Sequence, residues 1–341
     1  MRRRDFNKAL LTCGLTPCIG LAQDSDSNVI SVDELPELVG EISLYLGRGE
    51  GGLYENVLKA ISDRNPKFKL NIRRGPTAAL ANAIVAEKEA GIRRADVFWA
   101  VDAGAIGLVV DQEIAEPLPS ELVSQLRPNY RYRNWLPVSG RIRTLPFNTS
   151  ALGIEQIPQS IMSLPDEGFK LGWAPEYASF QSFITAMRLL AGNEATSDWL
   201  LKVNSSAKRY AGELGVVMGV ERGEVDIGFA NHYYTLRLKA GKPDAMLDLA
   251  FTKGDSGCLV NASGILALTS NKTVHNFIRY LFTKEVQSYL SSEAFEIPLV
   301  DGIALPRGIP SLDLISPPAI DLTQLSDLRP TLDLMRELRV L

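Results

Sequence analysis

Between residues 41 and 100 the hydrophobic period of the chain switches repeatedly, and this restricts the fold more than any other feature. The run 41-EISLYL-46 reads as a strand, and 53-LYENVLKAISDRN-65 places Leu53, Val57, Leu58 and Ile61 on one helical face. The run 68-FKLNIRR-74 alternates like a second strand, residues 78–90 have helical spacing, and 95-ADVFWA-100 is apolar except for Asp96. Strands alternating with helices predict an α/β architecture. A nearly unbroken apolar strand is what a parallel sheet covered on both faces requires. The same pattern continues through strands at 142-IRTLPF-147, 225-VDIGFA-230, 246-MLDLAF-251 and 258-CLVNASGILAL-268. A long apolar helix is expected over 180–192, closed by Gly192, and further helices near 273–291. The last stretch, 306–341, carries Pro306, Pro310, Pro317, Pro318 and Pro330 and ends in a helix-like 329-RPTLDLMRELRVL-341. A chain of 341 residues has room for two ordinary domains.

The first 22 residues have an export layout. A basic opening is followed by a short, weakly apolar stretch and by Gly20-Leu21-Ala22. Arg3-Arg4-Asp5-Phe6-Asn7-Lys8 resembles a twin-arginine signal, which exports folded proteins to the periplasm. Lipidation at Cys13 or Cys18 fits less well, because Thr12 and Pro17 suit a lipobox poorly. The segment carries four basic side chains and one acidic, so cleavage after Ala22 takes the net charge from −4 to −7. An acidic chain lacks the electrostatic footprint for nucleic acid or anionic membranes. No apolar run past the N-terminus is long enough to span a bilayer. Only Cys258 remains after cleavage, which excludes an internal disulfide and a thiolate metal cluster. Residues 23–39 are polar and rich in Ser and Asp, and a flexible leader is expected there.

Three sequence patterns bear on catalysis. Gly47-Arg48-Gly49-Glu50-Gly51-Gly52 matches G-x-G-x-x-G between a strand and a helix, and Arg73-Arg74 ends the next strand. An exported NADP-dependent oxidoreductase would use Gly47, Gly49 and Gly52 in this way. A glycine-rich turn also serves any ligand that needs close backbone approach. No G-x-S-x-G or H-E-x-x-H occurs, and His232 and His275 are the only histidines. His275 falls on a predicted helix and reads as structural.

The adjacent Tyr233 and Tyr234 are better placed. Asn231 follows the strand 225–230 and reads as a helix N-cap, which puts both phenols in the first turn. In open α/β sheets the strand's carboxyl end is the usual ligand position. A free phenol lies about three pH units below its pKa at neutrality, so ionising each costs about 4 kcal/mol. A hard trivalent cation such as Fe(III) offsets that cost. Amphipathic packing, with hydroxyls reaching water, is the other reading the residues allow.

Seven segments considered together go further. They are 44-LYLGRGE-50, 95-ADVFWAVDAGAIGLV-109, 139-SGRIRTLPFNTSAL-152, 171-LGWAPEYASFQSFITA-186, 221-ERGEVDIGFANHYYTLR-237, 254-GDSGCLVNASGILAL-268 and 294-AFEIPLVDGI-303. In combination they resemble the periplasmic ferric-iron-binding proteins of ABC importers, within the type II, transferrin-like, two-lobed solute-binding fold. The resemblance runs from about Glu41 to the C-terminus. It implies lobe 1 over 40–137 and 255–305, lobe 2 over 138–254, and a C-terminal helical tail over 306–341. Crossing strands near 138–147 and 248–258 would join the lobes as a hinge, with flanking helices on mixed sheets.

The resemblance also implies that Tyr233 and Tyr234 bind ferric iron between the lobes and that the closed form is read by an inner-membrane permease. The protein would be a monomer that catalyses nothing. Asn231 and Ser179 would help hold a synergistic anion such as carbonate or phosphate. Several usual first-lobe positions depart from the family pattern: Gly49 stands where many relatives have histidine, and Val101 where some have glutamate. Phe147 replaces a third tyrosine, and Tyr177 fills a place that is usually small and polar. Glu50 or Asp102 could supply a carboxylate ligand, or could be a solvated carboxylate or helix cap. Tyr177 could be a third phenol, or a wall that excludes the anion. A metal-free anionic solute bound by the same fold remains an alternative.

Overall fold

The computed structural model describes residues 3–10, 29–47 and 52–341. The chain divides into two compact units, Met1–Gly140 with Ala262–Arg307, and Arg141–Asn261 with Gly308–Leu341. It therefore passes from one unit to the other three times. The first passage lies within the strand Leu136–Asn148 and the second within the strand Val260–Ala267. The second falls later than the expected 248–258.

The first unit is built on the predicted strands. Gly40–Gly47 lies between Phe68–Gly75 and Val97–Ala100, parallel to both, with Leu44 opposite Ile72 on one side and Val97 on the other. Val260–Ala267 adds to the far side of Val97–Ala100 in the antiparallel sense, with Gly264 opposite Ala100. The helices Leu53–Arg64 and Thr77–Glu89 supply the crossovers between the parallel strands. Tyr54 stacks on the buried Trp99, ring centroids 4.4 Å apart, and donates to Glu296 Oε1 at 2.8 Å.

The described part of the expected flexible leader, residues 29–39, is held in place instead. Ser31 caps a 3₁₀ turn over Val32–Glu34 in a reciprocal capping box. Glu285 accepts from Ser31 Oγ at 2.8 Å and from the Val32 amide at 2.9 Å, and Asn65 Oδ1 accepts from the Leu38 amide at 2.8 Å. Val32, Leu35 and Leu38 are buried. Composition suggested disorder here, but three regularly placed apolar side chains pin the segment. Arg3–Leu10 is helical, and the remaining residues up to 28 lie outside the described set.

The second unit carries the remaining strands. Ile227–Gly228 lies between Leu136–Asn148, which it meets antiparallel at Phe147, and Leu171–Trp173, which is parallel. Lys208–Arg209 pairs with Leu171–Trp173 at the edge. Leu247–Ala250 and the two-residue strand Ala230–Asn231 also pair antiparallel with Leu136–Asn148, the latter placing Asn231 opposite Arg143. The strand expected over 225–230 is thus broken at Phe229, whose ring belongs to the core.

That core is aromatic. Phe180, Phe183, Trp173, Trp199 and Phe229 are buried together, mostly in edge-to-face contacts with centroids 5.3–5.7 Å apart. The helix Ala178–Ala191 supplies both phenylalanines of the 180–183 pair, and Gly192 ends it at φ 86°. Gly228 has no room for a side chain: a Cβ there would sit 2.4 Å from Val216 Cγ1, so the helix Glu213–Glu221 lies directly on this strand. Residues 308–341 are part of this unit. Thr185 Oγ1 and Thr331 Oγ1 are 3.0 Å apart, and Met335 and Val340 enter the same core. Replacing Phe183 with Ala should destabilise the second unit by about 3–5 kcal/mol, read as a lowered midpoint in urea unfolding followed by tryptophan fluorescence.

Candidate functional site

Where the strand Ala230–Asn231 ends, the helix His232–Gly241 begins, with Asn231 as its N-cap in extended conformation (φ −70°, ψ 143°). The position is as expected, but the side chain does not cap. Its Nδ2 donates to Ser179 Oγ at 2.8 Å and lies 3.5 Å from the Tyr233 hydroxyl. Tyr233 and Tyr234 occupy the first turn, with ring centroids 4.5 Å apart and planes inclined by 46°. Both are buried, at 5% and 8% exposure. The Arg237 guanidinium sits 4.8 Å from the centre of the Tyr233 ring.

A second helix start faces the same place. Tyr177 precedes Ala178–Ala191 and is half-buried, and its hydroxyl oxygen is 2.8 Å from that of Tyr234. Three phenols from two helix N-termini therefore belong to one locality of the second unit. Helix N-termini favour negative charge, which suits phenolates as well as anions.

Beneath these groups lies a buried ion pair. Arg143 Nη1 donates to Glu213 Oε1 at 2.6 Å, and the side chains are 3% and 0% exposed. Arg143 Nη2 donates at 2.7 Å to both the hydroxyl and the carbonyl of Ser179. Glu213 Oε2 accepts from the Asn231 amide at 2.8 Å. The four residues form a closed network in which each charge has a specific partner, the condition under which a buried pair is tolerated. Next to it, the buried His232 accepts the Ile142 amide on Nδ1 at 3.1 Å, which fixes its ring.

The structure thus brings Tyr233, Tyr234, Tyr177, Asn231 and Ser179 together within one unit. Phe147, which the resemblance sets at the place of a third tyrosine, is buried in the aromatic core. Asp102 belongs to the first unit, where it caps the helix Ala103–Val110 by accepting the Gly104 amide at 2.8 Å. Glu50 and Gly49 lie outside the described residues. Among the described residues no three His, Cys, Asp or Glu side chains gather to hold a metal. Cys258 is buried, and burial pushes its thiol pKa up, so it is a poor nucleophile and ligand. Sequence reasoning missed Arg143 and Glu213. The one available signal was a single charge at or next to the start of an apolar run, in 142-IRTLPF-147 and 213-ELGVVMGV-220.

Residues 93–310 match the family of bacterial extracellular solute-binding proteins. An Fe(3+)-binding periplasmic protein of Serratia marcescens is 30% identical over 299 residues, spanning 83% of this chain and 87% of the relative. The major ferric iron-binding protein of Neisseria meningitidis serogroup B is 26% identical, over 85% and 90% of the two chains. Among solved structures, iron-bound HitA from Pseudomonas aeruginosa superposes with a TM-score of 0.76 at 25% identity, covering 87% of this chain and 99% of that one. The chain belongs to the bacterial extracellular solute-binding protein family, with the two-lobed α/β fold of the periplasmic binding proteins. This is a family of transport components and not of enzymes, so the dinucleotide-binding reading of Gly47, Gly49 and Gly52 is set aside.

Removing one member of the buried pair leaves the other charged and unpaired. Glu213→Ala should therefore cost about 3–5 kcal/mol of stability, measured by urea unfolding. Arg143→Met combined with Glu213→Leu should recover most of that loss.

Proposed function

We propose that this protein is the substrate-binding component of a ferric-iron ABC importer. It acts as a monomer in the periplasm, is exported by the twin-arginine pathway through its first 22 residues, and hands its cargo to an inner-membrane permease. The observation that carries the reading is the Tyr233–Tyr234 pair at a helix start, in a chain whose relatives are named as ferric-binding proteins. The two phenols are hard oxygen donors, suited to a hard trivalent cation. Each ionisation costs about 4 kcal/mol at neutral pH, and only a concentrated positive charge at the oxygens offsets both. Two helix N-termini at the same place add to that effect.

Asp102 is left out of the proposed ligand set because its carboxylate already caps a helix. A metal-free anionic solute fits less well. The side-chain donors it would need, on Asn231 and Arg143, are already bonded to Ser179 and Glu213.

Ferric iron added to the purified protein should produce a visible phenolate-to-iron charge-transfer band. The Tyr233→Phe, Tyr234→Phe double variant should fold normally by circular dichroism and show no band. A wild-type protein that stays colourless with every ferric complex tried would sink the iron reading.

A further inference from the structure

We propose that the helix Arg3–Leu10 of the export signal docks on the folded first unit, in a seat made by the helices Leu53–Arg64 and Lys284–Ser292. Removal of the signal then leaves that seat open. The surface takes a short helix with two apolar side chains four residues apart, and its occupant is this chain's own residues 3–10. The fate of the signal rests on the export reading above, whereas the docking rests on packing within the first unit.

The first argument is burial. Phe6 is 0% and Leu10 3% exposed, whereas Asp5 is exposed. Positions four apart lie on one face of a helix, so a single stripe of this helix is covered, and the first unit covers it. A helix of eight residues is too short to persist alone in water. Its helicity therefore comes from the seat. Phe6 also belongs to Arg3-Arg4-Asp5-Phe6-Asn7-Lys8, the run that resembles a twin-arginine signal, so docking hides part of that run.

The second argument is how the seat is made. Its two helices come from distant parts of the chain and are tied together where Asn56 Nδ2 donates to the Tyr289 hydroxyl at 3.0 Å, across 233 residues of sequence. The seat is therefore complete only in a folded first unit. Downstream of the signal the chain returns to the same helix. The Lys284 amide donates to the Ile30 carbonyl at 2.9 Å, and Glu285 holds Ser31 and Val32. Residues 11–28 thus join two segments that both rest against Lys284–Ser292. Docking is intramolecular, and a tether of this kind keeps the effective concentration of the signal high.

The export route supplies the third argument. A chain carried across the membrane unfolded has no seat for its signal, whereas the twin-arginine route carries a folded precursor in which the seat exists. The export machinery then reads Phe6 only after the helix has been lifted from the first unit. Cleavage after Ala22 ends the competition, and the surface that covered Phe6 and Leu10 turns to solvent. The segment from Ile30 to Val32 keeps its own bonds to Lys284 and Glu285 and does not fill the opening.

The test compares amide hydrogen exchange in the full precursor, purified with its first 22 residues intact, and in the chain 23–341. The precursor should protect the amides of residues 7–10, which bond back into the helix, and should exchange more slowly over Leu53–Arg64 and Lys284–Ser292. Phe6→Asp in the precursor should reduce protection of residues 7–10 by about tenfold or more, as expected for losing one large buried apolar side chain. Phe6→Leu should retain most of it. A peptide of residues 1–12, added at about millimolar concentration, should slow the same two helices in the chain 23–341. Residues 7–10 exchanging at the rate of an unstructured chain in the wild-type precursor would overturn the proposal. So would equal exchange of the two helices in both forms. A periplasmic protein that still begins at Met1 would defeat cleavage after Ala22 alone, and the exchange data would decide the docking in either case.

Discussion

The contact between Arg143 and Glu213 organises the second unit around its phenols. One charge sits on a strand that runs through both units, and the other at the first turn of a helix packed on Gly228. Through Ser179 the arginine also holds the start of the helix that carries Tyr177, and through the Asn231 amide the glutamate holds the start of the helix that carries Tyr233 and Tyr234. Two helix N-termini separated by more than fifty residues are thereby referred to one buried point. An isolated charge so deep in protein would be prohibitively unfavourable, so the pair exists only when all four segments are in place. The phenol constellation depends on that condition.

Much of the architecture follows from local pattern. The period switches at 41–100 predict the strand and helix sequence of the first unit, and Asn231 marks a helix start, because both signals depend on neighbours in the chain. The tyrosine pair is legible for the same reason. What local pattern does not reveal is long-range pairing: Arg143 and Glu213 are 70 residues apart, and each alone looks like a surface charge beside an apolar run. The placement of Tyr177 beside Tyr234 likewise emerges only when two helix starts are brought to one location. Residues 29–39 show the opposite error, where a polar composition outweighed three apolar side chains that fix the segment.

The donor set is as informative for what it omits as for what it contains. Among the described residues, Glu213 is engaged with Arg143, Asp102 as a helix cap, and His232 with the Ile142 amide. The proposed ligands are phenols, which become good ligands only against a concentrated positive charge. Their reluctance to ionise is itself a filter, because a weakly polarising cation does not offset the cost of removing the protons. Selectivity of this kind requires no close fit around the ion.

The burial of Met335 and Val340 in the aromatic core has a consequence for biogenesis. The unit that holds the three phenols begins at Arg141, yet its interior is completed by side chains from the last ten residues of the chain. That core cannot be completed from residues 141–261 alone, so folding of this half depends on contacts made across the intervening first-unit segment 262–307.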